Sequence, residues 1–377
     1  MTNDKSLKFH IFGNGWVSGQ VQAALQAAAL PYTVSLERIE NREAVLSELE
    51  HIKPTNVINT AGARGDPNVD WCESHREETI RSNIIGASNV ADCCFLKGIH
   101  LTHFGSGCIY DYDETHPWGG PGYTEQDPPN FTKSFYSYTK VVSEQVLKQY
   151  PNVLILRIRN PIAADLNPKN MIVKLASYKK LINVPNSGSI LPSLLPGIIV
   201  LAKHKETGVY NCEKTNPGAF THNELMGLLK KHIWPDLAWS NFSEEEQTKI
   251  LTAPRCNTEL DTSKLQEKLS QYGYDIPTAH EAMEKAFGEI KMTQDVTLNR
   301  QELYGNAAKN PAPNDTPAFP QNTTSPSCTT PPVKCQSTTF CTLSIASIDT
   351  RLMPQAVRRA LLQDRLSFPR ASRRFRL

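Results

Sequence analysis

A glycine-rich run lies between the first apolar segment of the chain and its first helical pattern. The segment Leu7–Phe12 is apolar, and Gly13-Asn-Gly-Trp-Val-Ser-Gly19 follows it directly. Glycine lets the backbone approach a pyrophosphate, and a helix N-terminus favours its negative charge. An ordinary glycine-rich turn has the same composition, but this position between a first strand and a first helix is the one that a dinucleotide-binding fold requires. The predicted cofactor contacts of this loop are Gly13, Gly15, Trp16, Val17 and Gly19.

Further apolar segments alternate with helical stretches along the first half of the chain. We predict strands two to five at residues 32–35, 56–62, 101–105 and 153–158. This alternation predicts an α/β fold with a Rossmann-like, doubly wound parallel sheet. Ligands of such sheets bind outside the carboxyl ends of the strands, where Ser106, Asn59 and the Gly13 loop would all lie.

Tyr136 and Lys140 are four residues apart in a segment with a helical pattern. At this spacing on a helix, the two side chains lie one turn apart on one face. A lysine ammonium beside a phenol favours the phenolate, so we expect the pKa of Tyr136 to fall below its usual value of about 10. With the Ser106 hydroxyl at the end of a neighbouring strand, this pair could protonate a ketone oxygen while hydride reaches its carbon. The alternative is a pair of unrelated residues on a helix surface.

The composition favours an enzyme without a membrane segment. No run of about 18 apolar residues occurs, and the N-terminus lacks the apolar core of a signal peptide. The nine Cys form neither Cys-x-x-Cys pairs nor a Cys/His spacing typical of a metal site, so we expect no metal. These features favour a reduced, cytoplasmic setting.

Residues 293–377 differ in composition from the rest of the chain. The stretch 306–344 is dense in Pro, Thr, Ser and Asn, which is typical of a disordered tail. The last 27 residues carry a net +7 against +2 for the whole chain, so residues 1–350 carry −5. This basic end could bind nucleic acid or an anionic membrane. We favour an unselected extension, and therefore neither a nucleic-acid nor a membrane partner.

Six longer stretches carry the most specific pattern, at 67–75, 107–113, 129–140, 182–187, 221–224 and 253–261. They resemble the nucleotide-sugar 3,5-epimerase/4-reductases of plants and fungi, which are relatives of dTDP-4-dehydrorhamnose reductase in the extended short-chain dehydrogenase/reductase superfamily. The resemblance extends from residue 7 to about residue 290. We predict an NAD(P)-binding Rossmann domain over 1–160, a smaller substrate-binding portion over 161–292 and the disordered tail over 293–377.

This resemblance implies a two-step reaction on a UDP- or dTDP-4-keto-6-deoxy sugar that forms the L-rhamnose nucleotide with NADPH. The C4 ketone acidifies the protons on C3 and C5, which an acid/base pair can remove and return. Cys108 and Lys174 match the family's epimerisation pair, and Ser106, Tyr136 and Lys140 match its reduction residues. Without the resemblance, Cys108 would be taken for a small apolar residue and Lys174 for a solvated one.

The resemblance also implies contacts to cofactor and substrate. Arg38, after strand two, suits the 2′-phosphate of NADPH, whereas Glu37 beside it would accept ribose hydroxyls and suit NADH. We favour NADPH. Asn83 resembles a helix asparagine of the superfamily, although an exposed polar residue is the simpler alternative. Arg255 is the predicted diphosphate ligand, because a guanidinium matches phosphate oxygens bidentately. The remaining predicted contacts are Asn59, Ala61 and Gly62 for the cofactor and Asn186 and Asn257 for the nucleotide sugar.

Several positions depart from the family pattern, among them Ser106, Lys133 and Asn160, and two others bear on phosphate binding. Ser18 stands where the phosphate loop usually has glycine, and Asp66 stands where a cation is usual. A serine side chain would crowd the pyrophosphate, and Asp66 would repel the phosphates of the nucleotide sugar. Two alternatives therefore stay open: a catalytically weak or inactive NADP-binding regulatory subunit, and a 4-keto reductase without epimerase activity. The resemblance is also compatible with a homodimer.

Deletion of residues 293–377 should leave activity unchanged, because the predicted fold ends before them. Steady-state rates of the full and truncated chains at equal protein concentration check this expectation. An inactive or insoluble truncated chain would contradict the interpretation of the tail as an unselected extension.

Overall fold

The computed structural model of this chain describes residues 7–66, 68–213, 219–243, 246 and 254–293. Of the predicted tail, only Thr293 lies among these residues. The predicted disorder of the tail and its basic end lie outside the described residues and stay predictions.

Six parallel strands form the main sheet, and two more form a separate parallel pair. The strands are β1 Phe9–Phe12, β2 Tyr32–Val34, β3 Asn56–Asn59, β4 His100–Ser106, β5 Val153–Ile158, β6 Lys180–Leu181, β7 Gly208–Asn211 and β8 Ser240–Asn241. The main sheet has the order β2-β1-β3-β4-β5-β7, and β6 pairs with β8. From β1 the chain goes to β2 at one edge of the sheet, and from β3 it continues through β4 and β5 toward the other edge. The switch point of the sheet therefore lies between β1 and β3.

Eleven helices of the described residues accompany the strands. They are α1 Trp16–Ala27, α2 Arg42–Ile52, α3 Trp71–Ser74, α4 Arg76–Ile80, α5 Ala87–Lys97, α6 Phe135–Leu147, α7 Met171–Ala176, α8 Leu191–Lys203, α9 His222–His232, α10 Ser263–Gln271 and α11 Ala279–Thr293. A π-helical stretch, Arg81–Gly86, joins α4 to α5. Among the helices of the described residues, none combines the length and the apolar character needed to cross a bilayer.

Alternate residues of the strands pack into two cores on opposite faces of the sheet. Ile58 of β3 packs with Val21 of α1 on one face, whereas its neighbour Val57 packs with Leu49 of α2 on the other. Both faces are thus buried, which is why these strands are almost continuously apolar. The predicted Rossmann-like, doubly wound fold is confirmed.

Residues beyond 160 contribute both to the main sheet and to a core of their own. Strand β7 pairs with β5, and α8 packs against α1. Helices α7, α9 and α11 share a further apolar core that contains no residue before 162. The described residues all fall within one unit that extends to residue 315. The predicted domain boundaries at 160 and 292 stay predictions.

Some strand ends differ from the prediction. Strand β3 ends at Asn59 instead of Gly62, because the backbone N–H of Ala61 bonds to the Asn59 side chain at 3.0 Å rather than to a neighbouring strand. Strand β1 begins at Phe9 instead of Leu7, and β2 ends at Val34. Strand β4 extends to Ser106, so this residue is the last of the strand.

A buried ion pair ties α6 to the sheet. Arg157 of β5 is 2% exposed and donates to both carboxylate oxygens of Glu144 on α6, at 3.0 and 2.7 Å. The same guanidinium donates to Oδ1 of Asn211 on β7 at 3.2 Å. Bidentate geometry of this kind is strong and directional, so it fixes the helix relative to two strands at once.

Glu144→Ala should lower the free energy of unfolding by about 3–5 kcal/mol, because it leaves the Arg157 charge buried without a counter-charge. Urea unfolding of wild type and variant measures the difference. The matched control is Glu50→Ala, which removes the exposed pair between Glu50 and Lys97 and should cost at most about 1 kcal/mol. Equal losses in the two variants would contradict a special role for the buried pair.

Candidate active site

Ser106, Tyr136 and Lys140 come together at the carboxyl end of β4. Helix α6 begins after Ser134, whose hydroxyl accepts a hydrogen bond from the N–H of Ser137 at 3.2 Å. The Tyr136 hydroxyl donates to Ser106 Oγ at 3.5 Å, and Lys140 Nζ lies 5.9 Å from the centre of the Tyr136 ring. The spacing of Tyr136 and Lys140 therefore brings both to one place, with Ser106 beside the phenol.

Burial dominates the electrostatics of this group. It raises the pKa of Tyr136, with a further rise from the negative charge of Cys108 and an opposing effect of the hydrogen bond with Ser106. Burial also lowers the pKa of Lys140 to about 8. The expectation that Lys140 would lower the pKa of Tyr136 is wrong here. Burial destabilises the phenolate by more than a nearby ammonium stabilises it, so the pKa rises. Tyr136 is a phenol at neutral pH and can act as a proton donor.

Asn83 joins the loop after β3 to α6. Its amide group makes two hydrogen bonds of 2.8 Å with the backbone of Ala63 and donates to Thr139 Oγ1 at 3.1 Å. It is 1% exposed, so the alternative of an exposed polar residue is wrong. A Cβ at Gly62 would lie 3.2 Å from Asn83 Oδ1 and 3.3 Å from Lys140 Nζ, so Gly62 packs closely over both. Asn83 stands in the π-helical stretch, an irregularity often found at functional sites.

The loop after β1 has the space that a pyrophosphate needs. Gly13 has a φ of +102°, and a Cβ there would lie 2.7 Å from the backbone nitrogen of Ala61, so a larger residue does not fit. A Cβ at Gly15 or Gly19 would meet no atom of the described residues within 4 Å. Gly15 is the N-cap of α1, and no side chain caps this helix end. Backbone N–H groups at a helix start beside open space suit an anionic group.

Other side chains near this loop are engaged within the protein. Trp16 Nε1 donates to Asp165 Oδ2 at 2.8 Å, and Val17 is half-buried. Ser18 is fully buried, and its hydroxyl accepts a hydrogen bond from Gln22 at 3.2 Å within α1.

Asn59, at the end of β3, is also fully buried. Its Oδ1 accepts from the N–H of Ala61 at 3.0 Å, and its Nδ2 lies 3.2 Å from Nδ1 of His103. Its amide therefore shapes the turn that carries Ala61 and Gly62.

Arg38 lies in an open cleft of about 490 Å³. It is exposed and donates to Glu40 at 2.9 and 3.2 Å. Arg81 lines the same cleft, together with Asn41 and Glu78. Two guanidinium groups could bind a phosphate there against the opposing charge of the two carboxylates. The 2′-phosphate contact of Arg38 stays a prediction.

The two predicted epimerisation residues occupy different surroundings. The N–H of Cys108 donates to Ser106 Oγ at 3.1 Å, so Cys108 belongs to the group around Tyr136. Lys174 lies on α7, and burial, followed by the charge of Arg64, lowers its pKa to about 8. The charge of Arg64 acts on the pKa values of both Lys174 and Tyr136.

Three residues near Cys108 were absent from the sequence prediction: Arg159, Glu213 and Cys256. All are at least nine-tenths buried. Interaction with the Cys256 thiol and the charge of Arg159 lower the pKa of Cys108 to about 6, against the opposing effect of burial. Cys256 lay within a stretch that carried the resemblance, but only its spatial neighbourhood marks it as part of the site.

The three predicted substrate residues contact other protein groups. Asn186 Nδ2 donates to Asn257 Oδ1 at 2.9 Å, and Asn186 Oδ1 accepts from the N–H of Thr258 at 3.1 Å. Arg255 donates to both carboxylate oxygens of Asp70, at 2.7 and 2.9 Å. A diphosphate bound by Arg255 would therefore compete with Asp70. Within the described residues, no cluster of three or more His, Cys, Asp or Glu is arranged to hold a metal ion.

Lys140→Met should change how stability depends on pH. The pKa of Lys140 is about 8 in the folded protein against an ordinary value of 10.5, so between these values the unfolded chain binds more protons and stability rises with pH. Relative to Lys140→Met, wild type should gain about 2–3 kcal/mol of unfolding free energy from about pH 7 to about pH 10. Urea unfolding at the two pH values measures it. The exposed Lys148→Met serves as control, and a pH-independent difference for Lys140→Met would refute the lowered pKa.

Comparisons with known proteins match most of the chain. Residues 10–186 match the RmlD substrate binding domain family. The chain is 45% identical to a bifunctional dTDP-4-dehydrorhamnose 3,5-epimerase/dTDP-4-dehydrorhamnose reductase of Arabidopsis thaliana, over 72% of this chain and 90% of that protein. It is 43% identical to a trifunctional UDP-glucose 4,6-dehydratase/UDP-4-keto-6-deoxy-D-glucose 3,5-epimerase/UDP-4-keto-L-rhamnose-reductase of the same plant, but the match spans 76% of this chain and only 43% of that longer protein.

Solved structures give the same result. A UDP-rhamnose synthase of Acanthamoeba polyphaga mimivirus is similar with a TM-score of 0.69 and 34% identity, over 75% of this chain and 99% of that chain. A dTDP-4-dehydrorhamnose reductase of Bacillus anthracis, solved in complex with NADP, has a TM-score of 0.61 over 75% of this chain and 99% of that one. At 21% identity, the latter match supports the fold alone. The chain therefore belongs to the family of nucleotide-sugar 3,5-epimerase/4-reductases related to dTDP-4-dehydrorhamnose reductase.

Proposed function

We propose that this chain catalyses 3,5-epimerisation and NADPH-dependent 4-keto reduction of a nucleotide-4-keto-6-deoxy sugar, with UDP-L-rhamnose or dTDP-L-rhamnose as product. One observation carries the proposal: the Ser106 hydroxyl contacts the Tyr136 hydroxyl at 3.5 Å and the N–H of Cys108 at 3.1 Å. Ser106 thus lies beside Tyr136, a predicted reduction residue, and beside the backbone of Cys108, a predicted epimerisation residue, and a C4 carbonyl oxygen bound there could serve both steps. The similarity to a bifunctional relative supports the same pairing of activities.

The reduction step needs a proton for the C4 oxygen. Tyr136 holds this proton at neutral pH, because burial raises its pKa. Ser106 donates a hydrogen bond to the same oxygen and orients it. Once Tyr136 has given up its proton, it carries a negative charge. The positive charge of the nearby Lys140 ammonium then stabilises this phenolate.

The epimerisation step needs a base and an acid that titrate near neutral pH. Cys108, with a pKa of about 6, takes a proton from the carbon next to the C4 carbonyl, and the electron pair moves to the carbonyl oxygen. Lys174, with a pKa of about 8, is largely protonated at neutral pH and returns a proton to the opposite face. Ser106 and Tyr136 stabilise the charge on the oxygen between the two events.

The loop after β1 fits a dinucleotide. Gly13 leaves no room for a Cβ, and the start of α1 at Gly15 offers uncapped N–H groups to a pyrophosphate. When bound, NADPH supplies the hydride that C4 receives. Arg38 and Arg81 support a preference for NADPH over NADH, because their guanidinium groups can bind the extra phosphate.

The two half-reactions can be tested separately with UDP-4-keto-6-deoxyglucose. Oxidation of NADPH and of NADH reports reduction, NMR identifies the sugar product, and deuterium uptake at C3 and C5 in heavy water without cofactor reports epimerisation. Tyr136→Phe should lower the reduction rate by about 10²–10⁴-fold. It should slow deuterium uptake less, because Ser106 still stabilises the charge on the oxygen. Cys108→Ala should lose deuterium uptake.

The matched control is Tyr138→Phe, which changes an exposed tyrosine of the same helix and should keep both rates. A 4-reduced sugar without inversion would indicate a reductase that lacks epimerase activity. Cofactor binding without turnover would favour a regulatory subunit. Reduction by Tyr136→Phe at the wild-type rate would contradict the assigned proton donor.

A further inference from the structure

Asp165 lies between the helix of the cofactor loop and the helix that carries Lys174. Its Oδ2 accepts hydrogen bonds from Trp16 Nε1 and from Gln20 Nε2, both at 2.8 Å. Trp16 and Gln20 stand in the first and second turns of α1, whose N-cap, Gly15, borders the proposed pyrophosphate site. One oxygen of the Asp165 carboxylate therefore binds α1 at two points.

The other carboxylate oxygen binds the segment that precedes α7. Asp165 Oδ1 accepts from the N–H of Asn167 at 3.0 Å and from Asn170 Nδ2 at 3.1 Å. Asn170 is fully buried, and the same amide nitrogen also donates to the carbonyl oxygens of Ala163 and Asp165, both at 2.9 Å. These contacts fix the orientation of the Asn170 side chain.

Asn170 is in turn the residue at which the helix of Lys174 begins. It is the N-cap of α7, where its Oδ1 accepts from the N–H of Ile172 at 3.4 Å and its carbonyl oxygen accepts from the N–H of Lys174 at 3.2 Å. A helix of six residues is too short to be stable by itself, so α7 depends on its cap and its packing. Because the Asn170 amide is bound to Asp165, displacement of the carboxylate would weaken the start of α7.

The partners of Asp165 belong to elements that are far apart in the sequence. Trp16 and Gln20 precede it by 149 and 145 positions, and Asp165 itself is half-buried. The contacts of Oδ1 alone would suffice for the local turn that caps α7. The contacts of Oδ2 add a second connection, to α1, and hydrogen bonds to a carboxylate are stronger than those between neutral groups. A change in the order of the first turn of α1 is therefore transmitted to the start of α7.

We propose that Asp165 is a positioning residue through which cofactor binding at α1 stabilises the start of α7 and so places Lys174 for the epimerisation step. A pyrophosphate at Gly15 binds the first N–H groups of α1 and restrains its first turn. The restrained Trp16 and Gln20 hold Asp165, which holds the amide that begins α7. Order that the cofactor has already imposed need not be imposed again when the sugar binds, so the two ligands favour each other. This inference rests on the proposed cofactor site and on the proposed role of Lys174.

The test is amide hydrogen exchange of the full chain with and without saturating NADP⁺, measured by peptide mass spectrometry. NADP⁺ has no hydride to transfer, so binding is observed without turnover. In wild type, NADP⁺ should slow exchange in peptides of the glycine loop, residues 13–20. It should also slow exchange in peptides of α7 by about fivefold or more, which is the lower end of typical coupling between two sites.

Asp165→Asn keeps the size of the side chain and an oxygen for Asn167 and Asn170, but its amide nitrogen cannot accept from Trp16 or Gln20. Protection of α7 by NADP⁺ should be lost in this variant. Protection of the glycine loop should remain, and it shows that the cofactor is bound. Gln20→Met removes one of the two donors at a similar side-chain length and should lower the protection of α7 in part; where Asp165→Asn does not fold, Gln20→Met decides.

The matched control is Asp275→Asn, which changes an exposed carboxylate that accepts from the Ser270 hydroxyl at 2.7 Å. Protection of the glycine loop and of α7 should stay as in wild type. NADP⁺ that protects the glycine loop but not α7 in wild type would overturn the proposal. Full protection of α7 in Asp165→Asn would overturn it as well, because the cofactor would then act on α7 by another route.

Deuterium uptake at C3 and C5 of the sugar separates this inference from the proposed function. At a subsaturating concentration of UDP-4-keto-6-deoxyglucose, NADP⁺ should raise the rate of uptake in wild type and raise it less in Asp165→Asn. Protection of α7 that depends on Asp165, without any deuterium uptake by the sugar, would contradict the epimerase proposal and would still support the coupling.

Discussion

The buried ion pair between Arg157 and Glu144 holds the helix of Tyr136 and Lys140 against the main sheet. Helix α6 carries Tyr136 and Lys140. The Glu144 carboxylate of the same helix is bound by the Arg157 guanidinium of β5. Strand β5 pairs directly with β4, the strand that ends at Ser106, so the pair holds α6 beside that strand. Asn211 extends the same contact to β7, so two strands of the main sheet and one helix share a single polar centre. A shift of the helix relative to β5 would leave a deeply buried charge without its partner, which is strongly destabilising.

The site works through desolvation as much as through charge. Burial raises the pKa of Tyr136 and lowers those of Lys140 and Lys174 to about 8. A phenol that holds its proton can give it to a carbonyl oxygen, and amines that titrate near neutral pH can exchange protons with carbon acids. Cys108 is the exception, because hydrogen bonds and cations outweigh burial there and lower its pKa to about 6. Local surroundings rather than residue type thus decide which of these groups hold a proton near neutral pH.

Particular residues illustrate how far the sequence predicts the site. The place of Gly13 between a strand and a helix predicts that glycine is needed there. The physical reason is that a Cβ at this position would collide with the backbone nitrogen of Ala61. The spacing of Tyr136 and Lys140 predicted a shared helix face, which the structure places against Ser106. The direction of the pKa shift of Tyr136 was predicted wrongly. The spacing of residues along a helix shows which side chains are neighbours, but it does not show how far they are removed from water. Arg255 was predicted as a diphosphate ligand from its residue type alone. Its bidentate contact with Asp70 could not be predicted in this way, because the two residues are 185 positions apart in the sequence.

The amino-acid sequence alone determined the alternating strands and helices, the glycine loop, the order of Ser106, Tyr136 and Lys140, and the family. These features are local or periodic, so each follows from a few neighbouring residues and the regular geometry of its element. Only the tertiary structure decided which side chains are desolvated and which charges are paired. The group of Cys108, Arg159, Glu213 and Cys256 spans about half of the described chain, and its contacts arise only when β5, β7 and the segment around residue 256 pack together. A pKa depends on that packing, and no spacing along the chain encodes it.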